Sequence, residues 1–399
     1  MSKKIKSEKK ALVPRLRFPE YLDAGEWHKT QLGELGEFLG GGTPSKKNNS
    51  FWEGSIPWVS SSDISEESIH DIEITRFITE EAVERSATRL VPEDSILLVS
   101  RVGIGKLALT RSAICTSQDF TNLTPHTGNL EFLGYFLKAN KHALENLSQG
   151  MAIKGFTKED VSKFIIHLPK LEEQQKIADC LSSLDALIAA QADKIDALKA
   201  HKKGLMQQLF PREGETVPHL RFPEFRDAGE WTTKPLGKIL SIGNGKDHKH
   251  LPDGDVPVYG SGGYMRSVND YLYDGESVCI GRKGTIDKPV LLSGKFWTVD
   301  TLFYTHSFRN AIPRFIFALF QNIKWLKHNE AGGVPSLSKT NIVKIEVAIP
   351  EVKEQQKIAD CLSFLDALIA AQADKIDALK THKKGLMQQL FPSPEAVRA

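Results

Sequence analysis

Glu173–Pro211 reads EQQKIADCLSSLDALIAAQADKIDALKAHKKGLMQQLFP, and Glu354–Pro392 repeats that string with only Phe364 for Ser183 and Thr381 for Ala200. Residues at a steady alternation of four and three form a seam: Ile177, Leu181, Leu184, Ile188, Gln191, Ile195, Leu198, Lys202, Leu205 and Leu209. Eight of these ten are apolar, which predicts a coiled-coil helix of about 55 Å. Pro169 and Pro350 mark the starts, and Phe210-Pro211 and Phe391-Pro392 the ends. The natural partner of each helix is its twin, so Ile177, Leu181, Leu184, Ile188, Ile195 and Leu198 are expected to pair with Ile358, Leu362, Leu365, Ile369, Ile376 and Leu379. A parallel pair would set Lys202 against Lys383. An antiparallel pair centred on Gln191 and Gln372 sets Lys202 near Asp360 and Cys361, and Lys383 near Asp179 and Cys180. Opposite charges favour the antiparallel choice, each pair by about 0.5 kcal/mol at a surface.

Outward from the helices, a second repeat opens each half. Val13–Trp27 reads VPRLRFPEYLDAGEW and Val217–Trp231 reads VPHLRFPEFRDAGEW. The heads are offset by 204 residues and the helices by 181, so the material between them is 23 residues longer in the first half. The predicted plan is a basic tail (1–12), a first globular domain (13–170), a first helix (171–211), a linker (212–216), a second domain (217–351), a second helix (352–392) and a tail (393–399). Two domains on an antiparallel pair imply a pseudo-twofold axis, as in readers of two DNA half-sites. Short strands punctuated by glycine and proline make each domain α+β. Ser100–Gly105 resembles Gly281–Ile286, and Thr157–Val161 resembles Ser338–Ile342, so the two domains are expected to share a fold.

Composition narrows the function classes. The 399 residues carry a formal charge of +2, so a nucleic-acid site has to be a local patch. Five lysines crowd Met1–Lys10 without an apolar core, unlike a secretory signal, and no run is long and apolar enough to span a membrane. Four scattered cysteines suit a reducing cytoplasm and lack zinc spacing. Asp247–His250 reads as a solvated loop rather than a metal site. No P-loop, strand-borne GxGxxG, Asn-Pro-Pro-aromatic, HExxH or GxSxG pattern occurs, and no catalytic residue is nominated.

Read together, the fragments resemble the specificity subunits of Type I restriction–modification enzymes. The resemblance rests on LPKLEEQQKIA (Leu168–Ala178), IPEVKEQQKIA (Ile349–Ala359), GGTPS (Gly41–Ser45), IPWVSSSDI (Ile56–Ile64), YGSGGY (Tyr259–Tyr264) and GRKGTIDKP (Gly281–Pro289), in doubled order from Val13 to Pro392. It implies two target recognition domains, each reading half of a split asymmetric site in double-stranded DNA. The helices would set the unread spacer and dock two modification subunits, with restriction subunits further out. S-adenosylmethionine, ATP and Mg would belong to those partners, leaving this chain without a cofactor or metal. Carried onto this sequence, it points to DNA contacts at Thr43, Ser45, Lys46, Ser60, Ser61 and Arg101, then Lys246, His248, Tyr259, Ser261, Tyr264, Arg282 and Lys283. Glycine admits a phosphate close to the backbone, and these donors reach phosphates and base edges. Competing readings are a coiled-coil scaffold without sequence-specific DNA binding and, more remotely, a metal-dependent nuclease.

Overall fold

The computed structural model describes residues 13–147 and 155–392; both predicted tails, 1–12 and 393–399, lie outside the described residues. The chain forms two compact units, one of the residues up to Gln191 with those from Lys375 onward, the other Ala192–Asp374. The long helices run Leu171–Leu209 and Val352–Leu390, so each contributes to both units.

In the first unit, Ile177, Ala178 and Leu181 share a core with Met387, Leu390 and Phe391, while Asp185 pairs with Lys383. Rising numbers on one helix meet falling numbers on the other, so the two segments are antiparallel. The second unit does the same with Ile358, Ala359 and Leu362 against Leu209 and Phe210, and Lys202 on Asp366. All ten seam positions of each helix are buried or half-buried, as the four-three spacing requires. The partners of the two lysines differ from expectation: Asp366 and Asp185, six residues beyond Asp360 and Asp179. Helical side chains lean toward their own N-terminus, and on an antiparallel neighbour that direction leads to higher residue numbers. Lys202 therefore overshoots Asp360.

The repeated Glu-Gln at each helix start has a structural reason. Glu173, 1% exposed, receives Arg17 of the head through Nε and Nη2, both at 2.7 Å. Glu354 receives Arg221 at 2.8 and 2.7 Å. Gln174 donates to the carbonyl of Pro169 and accepts the Asn129 N–H, both at 2.9 Å; Gln355 serves Pro350 and Ile312 in the same way at 2.9 and 3.0 Å. Each head also reaches the end of the other helix segment, Leu16 N–H to Gln389 O at 3.0 Å and Leu220 N–H to Gln208 O at 2.9 Å. Trp27 packs edge-on to Phe391, and Trp231 edge-on to Phe210. Head, helix start and helix end thus form one buried joint per unit.

The two globular domains share a topology. His28–Gln31 pairs with Ile165–Leu168, and Thr232–Pro235 with Glu346–Ile349, closing each domain where it leaves the frame. In the first, Gly36–Gly40, Thr121–Pro125, Ser95–Leu98 and Leu107–Thr110 lie in that order in one sheet. Arg76–Ile78, Ile56–Val59, Ile114–Thr116 and Leu90–Val91 form another. In the second, the matching orders are Ser241–Asn244, Leu302–His306, Ser277–Gly281, Val290–Leu292, and Gly263–Val268, Val256–Gly260, Lys295–Thr298, Tyr273–Asp274. Each domain adds a ten-residue helix against its sheet, Leu130–Ala139 or Pro313–Asn322. Thr157 and Ser338, matched in sequence, both cap short helices with their hydroxyls. The fold class is therefore α+β with two domains on long repeated helices.

Candidate nucleic-acid interface

In the first domain the turn Ser117–Phe120 gathers three loops. Gly42 N–H donates to Thr116 O at 2.8 Å, Ser117 N–H to Val59 O at 2.9 Å, and Arg101 N–H to Asp119 O at 3.2 Å. This brings Thr43, Ser60, Ser61 and Arg101 around one turn although they are up to 58 residues apart in sequence (101 − 43). Gly41 is required there, since a Cβ would lie 2.0 Å from the Ser117 carbonyl oxygen. Ser45, Lys46 and Arg101 are exposed. Thr43 is half-buried, and its hydroxyl bonds Gln118, which the sequence reading did not nominate.

Ser60 is held rather than free. Its hydroxyl takes Arg76 Nη2 at 2.8 Å and donates to Asp63 at 3.0 Å, while its N–H donates to Asp63 at 2.6 Å. Burial pushes the Asp63 carboxyl up, but the Ser60 N–H and hydroxyl with Arg76 prevail and hold it below the ordinary carboxylate range. The Arg76 guanidinium lies 4.6 Å from the Trp58 ring centroid. Ser61 opens the short helix that this cap builds.

The second domain repeats the arrangement around Thr298–Thr301. Lys246 N–H donates to Thr298 O at 2.8 Å, Val299 N–H to Tyr259 O at 2.9 Å, and Arg282 N–H to Thr301 O at 2.8 Å. Ser261 N–H meets the Thr301 hydroxyl at 3.4 Å. A Cβ on Gly245 would lie 1.9 Å from Val299 O, the counterpart of Gly41. Lys246, Arg282 and Lys283 are exposed, as is Tyr264, 62% exposed on a hairpin tip beside Met265. Tyr259 is half-buried, its ring edge-on to Tyr264. His248 is half-buried, and its Nδ1 has no hydrogen-bond partner among the described residues.

Two features escaped the sequence. The loop Asn329–Ser336 folds beside Lys283 and Gly284, with Gly284 N–H on Pro335 O at 2.9 Å. The likeness of Ser100–Gly105 to Gly281–Ile286 aligns Arg101 with Arg282, whereas the backbone aligns it with Lys283: Ser100 and Arg101 share Asp119 O as Arg282 and Lys283 share Thr301 O. The cores differ in a related way. Trp58 Nε1 donates to Gly42 O at 3.0 Å, and Trp297 Nε1 to the equivalent Lys246 O at 2.9 Å. Yet Trp58 lies across from Cys115, and Trp297 across from Val258, in the same parallel strand pair. The indole comes from opposite strands in the two domains.

Among the described residues no group of three or more His, Cys, Asp or Glu could hold a metal ion. No helix among them is long and apolar enough to cross a membrane.

Comparison with known proteins agrees with this geometry. The family model for the Type I restriction modification DNA specificity domain matches twice, over residues 24–200 and 228–381. The MjaIX Type I restriction enzyme specificity subunit of Methanocaldococcus jannaschii is 33% identical over 233 residues, covering 56% of this chain and 53% of that one. That match spans about half of the relative's length. The MjaVIII specificity subunit of the same organism is 23% identical over 416 residues, covering 94% and 93%. A crystal structure of the Type-I restriction-modification system S subunit from M. genitalium superposes with a TM-score of 0.60 at 18% identity, over 95% of this chain and 99% of that one, which establishes a common fold. With the family model covering both recognition domains and most of both helices, the chain belongs to the Type I restriction modification DNA specificity domain family.

Proposed function

We propose that this chain is the DNA sequence-recognition subunit of a Type I restriction–modification complex, each domain reading one half of a split, asymmetric site. The observation that carries this reading is the pair of loop clusters. They share backbone bonding around Ser117–Phe120 and Thr298–Thr301 and differ in nearly every side chain they present. A frame repeated residue by residue beneath two different loop sets is what a reader of two unlike half-sites needs. Lys46, Arg101, Lys246, Arg282 and Lys283 supply phosphate and base-edge donors; Thr43, Ser45, Ser61, His248, Ser261 and Tyr264 fill the same faces. Ser60 and Tyr259 support their neighbours' conformation and contact DNA less directly.

The paired helices set the spacer and dock two modification subunits, with restriction subunits joining beyond them. The chain itself supplies recognition without chemistry. S-adenosylmethionine serves adenine N6 methylation in the modification subunits, and ATP and Mg serve translocation and cleavage in the restriction subunits. A scaffold without DNA binding would leave the match to a DNA specificity family and the paired loop clusters without a purpose.

The test is single-molecule sequencing of genomic DNA with and without this gene. A split motif with one N6-methyladenine per strand should lose methylation on deletion. An unchanged methylome from cells that express the complex would overturn the proposal.

A further inference from the structure

The two helices carry the same lysine–aspartate pair twice, and the two domains treat it differently. In the first unit Lys383 and Asp185 are only 7% and 14% exposed. They are covered by Tyr135, a fully buried residue of the Leu130–Ala139 helix. The Tyr135 hydroxyl donates to Asp185 Oδ2 at 2.6 Å, and Lys383 Nζ lies 5.0 Å from its ring centroid. His70 Nε2 stands 3.2 Å from the same hydroxyl, and Ser182 Oγ 3.4 Å. Further along, Lys380 pairs with Glu67 of the domain.

In the second unit Lys202 holds Asp366 at 2.6 Å, but Asp366 is 48% exposed. Phe132 and Phe315 mark equivalent positions, each packed on the joint's tryptophan and helix-end phenylalanine. Counting from them, Tyr135 corresponds to Ala318, whose methyl cannot reach the pair. Among the described residues Lys199, the twin of Lys380, pairs only within its own helix, with Asp196. The helix sequences are the same at these positions, so the difference arises wholly from the domains.

We infer that Tyr135 latches the first recognition domain to the coil, while the second is held by its joint alone, and that Tyr135 is thereby a positioning residue for spacer selectivity. The inference rests on the DNA-reading role proposed above. A domain tied at two places along the coil cannot turn about its joint; one tied at a single place can, so the spacer tolerance of the complex originates in the second domain. Loss of the tyrosine hydroxyl should free the first domain as well.

The experiment uses the assembled complex and a plasmid library carrying the mapped motif with its native spacer and spacers one base pair shorter and longer. Tyr135→Phe keeps the ring and removes the hydroxyl. It should raise methylation at the off-length spacers by about tenfold, the factor that one hydrogen bond to a charged group is worth. Both half-sites and native-spacer methylation should be retained, and Asp366→Asn should change nothing. An unchanged spacer profile for Tyr135→Phe, or equal broadening by Asp366→Asn, overturns the inference. Hydrogen exchange on the same complexes decides the latch without reference to DNA. Tyr135→Phe should speed exchange in the Leu130–Ala139 helix and leave Pro313–Asn322 unchanged; equal exchange before and after refutes the latch. If the unmutated complex methylates no split motif, the recognition role fails, and the exchange result still stands or falls alone.

Discussion

The buried pair Arg221–Glu354 should be the polar interaction whose loss costs the second unit most. Glu354 is 1% exposed and Arg221 9%, and the bond is bidentate, with Trp231 Nε1 adding a third donor at 3.3 Å. The hydrogen bonds to Glu354 outweigh burial and hold the Arg221 pKa above its ordinary value. Replacing Arg221 by alanine strands a carboxylate in a dry joint, a loss of about 3–5 kcal/mol. Lys202→Ala removes a chemically similar pair whose acid is half in water and should cost less than about 1 kcal/mol. Two buried cysteines report each unit separately, Cys115 in the first and Cys279 in the second. Burial pushes the Cys279 thiol up to about 12, and the Cys115 thiol up as well, so neither reacts without opening. In a Cys180→Ser, Cys361→Ser background, thiol labelling of Cys279 should accelerate by roughly 10²- to 4 × 10³-fold in Arg221→Ala, taking about 1.4 kcal/mol per decade. Cys115 should keep its rate. Arg17→Ala should reverse the pattern, and Arg221→Met with Glu354→Met should recover most of the loss. An acceleration of Cys279 below about tenfold would refute the claim that the joint excludes water.

Other expectations follow from single positions. Gly41→Ala and Gly245→Ala, with a Cβ about 2 Å from a carbonyl oxygen, should each abolish readout of a different half-site in the methylome while leaving both thiol rates within about fivefold of wild type. Lys46→Ala and Lys283→Ala should each weaken binding across DNA sequences and lower the salt slope of the complex by about 1, measured by titration at several salt concentrations. Lys138 is held at a pKa of about 8, first by burial and then by Lys383 nearby. Its folded pKa lies below the unfolded one, so the charged form is penalised in the fold at neutral pH, and the penalty fades as pH rises from about 8 toward 10.5. Lys138→Met should therefore stabilise the first unit by roughly 1–2 kcal/mol at pH 7, after discounting for partial solvent access. The gain should vanish near pH 10.5, a pattern that urea unfolding across pH would check.

The frame was legible in the sequence because its determinants are local. Heptad spacing placed every seam residue, and the charge of Lys202 and Lys383 chose the antiparallel direction. Their exact acidic partners were missed because residue spacing carries no side-chain lean. The domains were legible only as α+β. Their parallel strand pairs, Ile56–Val59 with Ile114–Thr116 and Val256–Gly260 with Lys295–Thr298, join segments with no common periodic signal, and strands of three to five residues do not announce their partners. The loop clusters of the candidate interface were half legible. Glycines crowded against a carbonyl, as at Gly41 and Gly245, must be glycine in any such turn, so they stand out beside Thr43 and Lys246. Gln118, Thr301 and the Asn329–Ser336 loop reach the same faces through hydrogen bonds between residues far apart in sequence.

The exchanged tryptophans show why the readable and unreadable parts divide where they do. The carbonyl of Gly42 or Lys246 needs an indole N–H, and either of two adjacent parallel strands can provide it. The fold therefore constrains a position in space without constraining a position in the sequence, and residues around it are released to vary. The joints allow no such freedom: Arg17 and Arg221, Glu173 and Glu354, Gln174 and Gln355 are met by partners in one geometry each. By this division one way of mounting a domain carries two different loop sets in the same chain. Loops on an interchangeable core absorb substitutions, and a frame of unique polar fits does not. Tyr135 breaks the division, since it is a domain residue that bonds the frame. Exchanging the first domain for one with alanine at that position should change the half-site and loosen the spacer together, whereas exchanging the second should change its half-site alone.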